Sequence, residues 1–376
     1  MSLLIYSILF LLIILSTAYT VRSSKYKISY INFKFTPVKL SVGIIICFLV
    51  YVIVRTYAYN TGADYLAYFF HYVARTHNVI DAWGEGREVG YRTLIDILSS
   101  KFDEPYIFFA ICALLGLGSV LYASLKFGQA APFIVLGWVI FMFNLSTNLY
   151  RQYISFAFLL ISASILISKQ NKKHIVLCVI FIILAYLFHR SSIVGVVMLS
   201  AIYFLRNIKI NRWIWIIGLL ITTVSSMTIL YNLLETFGTY SNMFMQMNDR
   251  SYMADELFDS VYDSSRMAYI NMIAGMIMLW YGDKVMKKSQ LLRYLFYVYA
   301  ISLLVGPLMR QEILMRMRLY LTNIGFIAYG LIIYFNVKYF RLKSNMILYI
   351  VLIYQIAYFY FYQNASLFTD FPLIFK

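Results

Sequence analysis

Asn148, Arg151 and Gln152 stand at the start of an apolar segment with the spacing i, i+3, i+4. On a helix these three positions share one face. Arg151 then adds its charge to the positive end of the helix dipole, and together they bind an anion. An arginine at this place can also reach out to lipid headgroups. Because Asn148 and Gln152 make the face polar, the pattern favours an anion site.

Two acidic residues and one histidine are candidates for proton transfer. Asp64 follows the turn-forming Gly62, and it can act as a general base at a low-dielectric boundary or cap the helix that follows. Glu88 is a second candidate base, although it can also pair with Arg92 one helical turn on. His189 lies in a polar turn between two apolar segments. It can act as a base, donate to a phosphate or sugar, or simply be an interfacial polar residue.

Three further arginines extend the set of anion ligands. Arg55 lies at the end of the second apolar segment, and Arg316 and Arg318 lie at the start of a later one. Arginine is costly at an apolar boundary unless it is paired or liganded. Each helical residue turns 100°, so Arg316 and Arg318 are about 200° apart. The sequence therefore predicts that one of them faces inward and the other faces lipid headgroups, unless the segment is irregular.

Several chemistries are excluded by what the sequence lacks. It has no phosphate-binding Walker loop and no serine nucleophile elbow. Its three cysteines lie in apolar segments without disulfide or metal spacing. The net charge of +16 comes from basic residues placed singly between apolar segments, which does not favour a nucleic acid partner. We therefore predict no cofactor, no metal and no bound nucleic acid.

The composition predicts an all-α polytopic membrane protein. Of the 376 residues 62% are hydrophobic and 13% are charged, whereas soluble domains carry about 25% charged residues. A spanning helix needs about 20 mainly apolar residues. We predict a single transmembrane domain, 1–376, whose first span is a retained helix and not a signal peptide. About twelve spans lie near 3–21, 40–57, 105–124, 130–147, 151–168, 174–189, 191–206, 212–231, 266–282, 291–309, 316–336 and 345–362.

This arrangement of spans places most basic residues on one side of the membrane and nearly all acidic residues on the other. If the connections alternate across the membrane, 19 of the 32 basic residues but only one of the 16 acids, Asp283, lie on the cytoplasmic side. Both termini are then extracytoplasmic, as are two long connections, 58–104 and 232–265. Long connections often carry function. With one span missed, the basic and acidic residues would no longer fall on separate sides of the membrane. Their separation therefore supports the twelve-span topology.

The two sides also differ in the kind of basic residue. The cytoplasmic set holds 14 lysines and 5 arginines, whereas the outer set holds 2 lysines and 11 arginines. Lysine serves as a general topology signal, but the planar guanidinium binds phosphate through paired hydrogen bonds. The asymmetry predicts an outward-facing site for a polyanionic headgroup. A lipid-linked pyrophosphate sugar fits such a site, because it carries its own leaving group.

The order of these pieces resembles the EpsG family of Wzy-like polysaccharide polymerases, mainly over residues 40–325. Each motif is weak alone, but their order, spacing and common outer placement are more specific. The chain departs mildly from the family pattern at residues 153–155 and at Arg190. The motifs that carry the resemblance are Arg55 with Gly62-Ala63-Asp64-Tyr65 and Tyr68, Glu88 with Gly90-Tyr91, Asn148-Leu149-Tyr150-Arg151-Gln152, Phe188-His189-Arg190-Ser191-Ser192, and Arg316 with Arg318-Leu319-Tyr320.

The resemblance implies a GT-C-like membrane glycosyltransferase that polymerises O-antigen, capsule or exopolysaccharide repeat units. It would act at the outer face of the inner membrane and transfer a glycan from undecaprenyl pyrophosphate to a lipid-linked repeat unit. A co-polymerase that regulates chain length is left open as a partner. The implied pyrophosphate ligands are Arg55, Asn148, Arg151, Gln152, Arg316 and Arg318, and the implied candidate bases are Asp64, Glu88 and His189.

Three other functions fit parts of the pattern. A lipid-linked oligosaccharide flippase would also have a dozen helices and arginine-rich pockets, but transporters tend to show internal repeats and broken helices at midplane. An O-antigen ligase shares the donor chemistry and differs in its acceptor, and the motif order favours the polymerase. A membrane acyltransferase is disfavoured because His189 lacks the usual partner pattern.

Overall fold

The computed structural model describes residues 2–23, 41–59, 64–79, 84, 86–146, 149–168, 172–226, 265–308, 312–339, 346–359 and 374–375. These residues form fourteen α-helices, one 3-10 helix and two strands of two residues each. The elements are α1 (Ser2–Ser23), α2 (Val42–Tyr57), β1 (Ala58–Tyr59), α3 (Tyr65–Thr76), α4 (Val89–Ser99), α5 (Tyr106–Leu125), a 3-10 helix (Gly128–Ala130), α6 (Ala131–Ser146), α7 (Tyr150–Ser168), α8 (Lys172–Phe188), α9 (Ser192–Leu205), α10 (Arg212–Ser226), α11 (Ser265–Met286), α12 (Gln290–Val305), α13 (Glu312–Tyr339), α14 (Met346–Tyr358) and β2 (Ile374–Phe375).

Each of the twelve predicted apolar segments coincides with a helix. Within the described residues, three helices are long and apolar enough to cross a membrane by length and composition, and seven more are shorter apolar helices. The three long ones are Leu4–Ser23, Tyr106–Leu125 and Met315–Val337. The architecture is that of an all-α polytopic membrane protein.

The central helix of the bundle is α13. It packs against α6, α7, α9, α11 and α12. The apolar stretch Met315–Val337 of α13 is 94% buried, compared with 39% of Leu4–Ser23 in α1. On α13, Asn323 donates from Nδ2 to the carbonyl of Phe156 in α7 at 2.9 Å. A buried amide needs such a partner, so this bond fixes the position of α13 along α7.

The first predicted long connection, 58–104, contains two helices. Both α3 and α4 pack on α5 and α7 through buried aromatic and aliphatic side chains. Tyr65, Tyr68 and Tyr72 recur on the buried side of α3, which is the spacing of an amphipathic helix. These helices are too short and too polar to span a membrane, and they cover the ends of the longer ones. The second predicted connection, 232–265, lies outside the described residues apart from the first residue of α11.

Contacts between the ends of helices join segments that the charge pattern predicts to lie on the same side of the membrane. At one end of the bundle, β1 pairs antiparallel with β2, so the C-terminal strand lies beside the start of the first long connection. At the other end, Lys126 donates to the carbonyl of Ser164, and Arg293 donates to the carbonyl of Arg206. Each contact joins segments that the charge pattern assigns to the same side.

Candidate active site

Glu88, Arg151 and His189 meet at one end of the bundle, and we call them the Glu88 cluster. Oε1 of Glu88 lies 3.0 Å from Nδ1 of His189, and Oε2 accepts a hydrogen bond from Nη1 of Arg151. The side chains of Glu88 and Arg151 are each 12% exposed and that of His189 is 16% exposed. The cluster is therefore shielded from bulk water but remains accessible to a substrate.

Close packing of two helices brings Glu88 to His189. Glu88 is the N-cap of α4 and has an extended backbone (φ −63°, ψ 147°). Two residues later, Gly90 lies against Leu187 of α8, where a Cβ would come within 2.8 Å of the Leu187 carbonyl oxygen. A residue without a Cβ permits this approach of two backbones. The contact sets the first turn of α4 beside the end of α8, and His189 follows α8 directly.

Tyrosines of α3 and α4 hold the guanidinium of Arg151. Its Nε donates to the hydroxyl of Tyr68 at 3.2 Å, and its Cζ lies 5.8 Å from the ring centre of Tyr91. The Tyr68 ring packs edge-on against Tyr91 and Tyr150, with ring centres 5.6 and 5.2 Å apart. The guanidinium is a rigid planar fork. Fixing two of its donors, on Tyr68 and on Glu88, therefore fixes the orientation of the whole group.

Glu88 is ionised in this environment. Burial alone would raise the pKa of its carboxyl, but the hydrogen bond from His189 and the charge of Arg151 outweigh burial and lower the pKa of Glu88 to about 2. An ionised carboxylate is only an acceptor, so Nδ1 of His189 carries the hydrogen in their contact. This tautomer places the lone pair on Nε2, the atom that would accept a proton from a substrate.

The central helix α13 adds polar groups beside the cluster. Ser191, at the turn between α8 and α9, shares a 3.0 Å hydrogen bond with the hydroxyl of Tyr320. Gln152 donates from Nε2 to the carbonyl of Arg316 at 2.9 Å. Residues 316 and 320 lie about 40° apart on a helix, so they share the face of α13 that meets α7 and α9.

Arg318 is directed toward a different neighbour. Its guanidinium lies against Gly306 after α12, where a Cβ would come within 2.8 Å of Nη1. The side chains of Arg316 and Arg318 are both half-buried. Neither side chain is fully exposed, and the expectation that one of them faces lipid headgroups stays a prediction. The side of α13 that points away from Arg316 is covered by α12, and Arg318 packs into that contact.

Arg55 lies deeper in the bundle than Arg151. Its Nη2 donates to the carbonyl of Ser146 at 3.1 Å and to the hydroxyl of Tyr150 at 3.4 Å. Ser146 ends α6, and the last carbonyls of a helix have no partner within it. Arg55 therefore links α2 to the end of α6 and the start of α7. Tyr150 contacts Arg55 through its hydroxyl and packs on Tyr68, the residue that bonds Arg151.

Asp64 lies at the margin of the same region. It occupies the N-cap position of α3, but its side chain makes no capping hydrogen bond. Burial raises the pKa of the Tyr68 hydroxyl, Arg151 opposes this shift, and the Asp64 carboxylate adds to it. Asp64 is therefore within electrostatic range of the group that holds Arg151. The remaining candidate, Asn148, lies outside the described residues.

Four residues of the site had no role predicted from the sequence: Tyr68, Tyr91, Ser191 and Tyr320. All four stand in the short motifs next to charged candidates, and that position was the available signal. In the part of the chain that the structure describes, no three His, Cys, Asp or Glu side chains lie close enough to hold a metal ion. The charged groups that the structure does bring together suit an anion.

The fold and the site define an integral membrane protein with an oriented histidine and an anchored arginine at one end of its bundle. A family model described as the EpsG family matches residues 41–370. The chain therefore belongs to the EpsG family, a family of Wzy-like exopolysaccharide polymerases, as the motifs indicated. This family makes the protein a polymerase of the glycosyltransferase type. No curated protein and no solved structure matches the chain.

Proposed function

We propose that this protein polymerises polysaccharide repeat units from a donor glycan carried on undecaprenyl pyrophosphate, with a lipid-linked repeat unit as acceptor. Family membership supports the polymerase class. The single observation that supports the mechanism is the Glu88 cluster, in which an oriented imidazole adjoins a fixed guanidinium. Such a pair supplies the two things the transfer needs, a base for the acceptor and positive charge for the leaving group.

The transfer forms one glycosidic bond and breaks the bond between the donor sugar and the pyrophosphate. An acceptor hydroxyl oxygen attacks the anomeric carbon of the donor, and the bond from that carbon to the pyrophosphate oxygen breaks. Nε2 of His189 takes the hydroxyl proton and later releases it to water. Undecaprenyl pyrophosphate leaves with the bonding electron pair, and Arg151 stabilises the charge that develops on it. The donor is activated beforehand, so the step consumes no nucleotide.

We assign the base to His189 and a positioning role to Glu88. A carboxylate with a pKa of about 2 is a weak base near neutral pH. Its contact with Nδ1 selects the tautomer of His189 and stabilises the imidazolium that forms during transfer. Asp64 is the alternative base, because its carboxylate lies near Tyr68 and is not used to cap α3.

The arginines differ in how directly they meet the pyrophosphate. Arg151 belongs to the cluster, and Arg316 lies on the face of α13 that carries Tyr320. Gln152 fixes that face through the Arg316 carbonyl. Arg55 and Arg318 lie farther away, so we assign them to shaping the site. Asn148 stays a predicted ligand.

We also propose the arrangement in the membrane. Twelve helices cross it in a GT-C-like architecture, the Glu88 cluster faces outward from the cytoplasmic membrane, and the connections 58–104 and 232–265 are extracytoplasmic. The sorting of basic residues supports this orientation. The meeting of residues from four predicted outer segments at one end of the bundle supports it as well.

Reconstitution tests the function. Purified protein in liposomes is given its native undecaprenyl-pyrophosphate repeat unit, and the products are separated on a gel. We expect a ladder of lengthening glycans. Transport of the intact lipid-linked unit across the bilayer without a ladder would contradict the polymerase and support a flippase. Glycan transfer only after a lipid A core acceptor is added would support a ligase.

Two variants identify the base in the same assay. His189→Ala should abolish the ladder, because no other group of the cluster can take the proton. Asp64→Asn should keep most of the activity. Loss in Asp64→Asn combined with activity in His189→Ala would reverse the assignment. Each variant must show the thermal unfolding of the wild type, so that loss of activity is not loss of fold.

Gly90→Ala should lower polymer formation about a hundredfold, since a displacement of about 1 Å at a reacting group has an effect of that size. The new Cβ would come within 2.8 Å of the Leu187 carbonyl, which is backbone and must move. Glu88 would then shift relative to His189. Gly118→Ala is the matched control, because its Cβ would meet Phe48 no closer than 3.8 Å. Equal activity in both variants would show that the α4–α8 contact does not set the site.

A further inference from the structure

A short basic loop lies at the end of the bundle opposite the Glu88 cluster. It joins α9 to α10 over residues 206–211, and with Arg212, the first residue of α10, it holds three basic residues and no acid. The loop is fastened to α12. Arg293 donates to the carbonyl of Arg206 at 2.9 Å, and the hydroxyl of Tyr297 bonds the Ile208 carbonyl at 2.6 Å. The basic residues are therefore presented from an anchored backbone.

Two arginines of this loop are stacked on aromatic rings. Cζ of Arg206 lies 3.5 Å from the ring centre of Tyr203, and Cζ of Arg212 lies 3.5 Å from that of Trp280. Arg206 also donates from Nη1 to the Tyr203 carbonyl at 3.0 Å. Stacking occupies the faces of a guanidinium, and the N–H groups that are not bonded to the protein are left for an anion. It also restrains long side chains, so less entropy is lost on binding.

The surface next to these arginines is apolar. Phe204, Ile208, Trp213 and Ile214 are exposed, and the Trp213 ring packs edge-on against Trp280. Tryptophan is enriched where a membrane protein meets the headgroup level of the bilayer. A belt of exposed apolar side chains directly beside stacked cations matches a molecule with apolar chains joined to an anionic group.

The neighbouring turn after α11 adds positive charge. Lys287 and Lys288 are exposed there. Asp283 is the one acid on this side of the predicted sorting, and it pairs with Lys287 at 2.6 Å. Lys209 of the loop is exposed as well. The balance of charge at the surface therefore stays strongly positive.

We propose that Arg206, Lys209 and Arg212 form a binding site for the phosphate of an anionic phospholipid. The phosphate contacts the N–H edges of the two stacked guanidinium groups, and the acyl chains lie along Phe204, Trp213 and their apolar neighbours. Basic groups near an anionic headgroup attract it electrostatically, and their contributions add. The site does not depend on the polymerase chemistry, because it lies at the opposite end of the bundle.

Lipid binding by matched double variants tests this site. Arg206→Gln with Arg212→Gln removes two charges that are stacked on rings. Lys172→Gln with Lys173→Gln removes two exposed charges at the start of α8, which the charge pattern assigns to the same side. Native mass spectrometry and thermal unfolding are measured in detergent with added phosphatidylglycerol or phosphatidylcholine.

The wild type should retain phosphatidylglycerol over phosphatidylcholine, and phosphatidylglycerol should raise its unfolding temperature. The arginine double variant should lose this preference by about thirtyfold, about fivefold for each charge removed, whereas the lysine double variant should keep it. Equal loss in both would show a nonspecific charge effect and overturn the site, and so would an unchanged arginine variant. If the arginine variant does not fold, Arg206→Lys with Arg212→Lys keeps the charge without the planar stack and should bind phosphatidylglycerol less tightly than the wild type does.

Discussion

Replacing Arg151 by lysine is expected to lower polymer formation about 10²- to 10³-fold, the effect of removing one preorganised donor from a developing anion. Lysine keeps the charge but not the planar fork. It cannot bond Tyr68 and Glu88 at the same time in the geometry of Nε and Nη1. The charge would then not be held where the pyrophosphate leaves. Quantified glycan ladders from reconstituted protein measure the loss.

Arg75→Lys is the matched control for this substitution. Arg75 is another arginine of the outer set, and its Nε pairs with Asp96 at 3.2 Å on the surface of α3 and α4. Exposed pairs of this kind contribute little, so activity should stay within about twofold of the wild type. Full activity in Arg151→Lys, or an equal loss in both variants, would show that the guanidinium geometry at Arg151 is not needed for transfer.

The positions of the helices could be predicted from the sequence because a membrane imposes a length on apolar segments. The segment predicted at 174–189 is α8, Lys172–Phe188, and the one predicted at 212–231 begins with α10 at Arg212. Charges at the ends of the segments constrained their number. The bounds of α3 and α4 were not predicted within 58–104, although a helix after Asp64 and a helical turn from Glu88 to Arg92 were among the alternatives considered.

The partners of the charged residues could not be predicted. Glu88 is 63 residues from Arg151 and 101 from His189, and a single sequence gives firm distances only along one helix. The local alternative for Glu88 was therefore Arg92, one turn away. The approach that joins the true partners depends on Gly90 and the Leu187 backbone. Nothing in the sequence links those two residues.

The neighbours of Arg316 and Arg318 could not be predicted from the sequence for the same reason. Helical geometry places the two arginines about 200° apart, but it could not show that both sides of α13 are covered by other helices. Packing on Gly306 accounts for Arg318, and the bond from Gln152 marks the face of Arg316. The sequence thus indicated candidate anion ligands by residue type, while their positions relative to one another depend on tertiary packing.

Glu88→Gln should lower polymer formation by about two orders of magnitude or more, because the amide cannot replace the carboxylate. Both oxygens of Glu88 accept, one from His189 and one from Arg151. Glutamine offers one oxygen and one NH₂ group, so its NH₂ must face a donor. If the NH₂ group faces His189, the imidazole adopts the tautomer with hydrogen on Nε2, and Nε2 can no longer accept a proton from the acceptor. If it faces Arg151, the anion-binding group is displaced.

The same variant should change how stability depends on pH. The pKa of Glu88 is lowered from 4.5 to about 2 in the fold, so the folded state favours the ionised form. Its contribution to the free energy of unfolding is complete above about pH 4.5 and is lost as the pH falls toward 2. The unfolding temperature of the wild type should therefore exceed that of Glu88→Gln at pH 7, and the difference should shrink below pH 4.5.

Asp96→Asn is the control for both readouts. Asp96 lies on the same helix as Glu88, but its side chain is 52% exposed and pairs with Arg75 at the surface. Its removal should leave the ladder and the pH dependence of unfolding close to those of the wild type. A Glu88→Gln protein with full activity but altered pH dependence would confine Glu88 to stabilising the fold. Loss of activity in a Glu88→Gln protein that stays folded at the assay temperature, although its unfolding temperature at pH 7 is lowered, would instead place the role of Glu88 in catalysis, through the tautomer of His189.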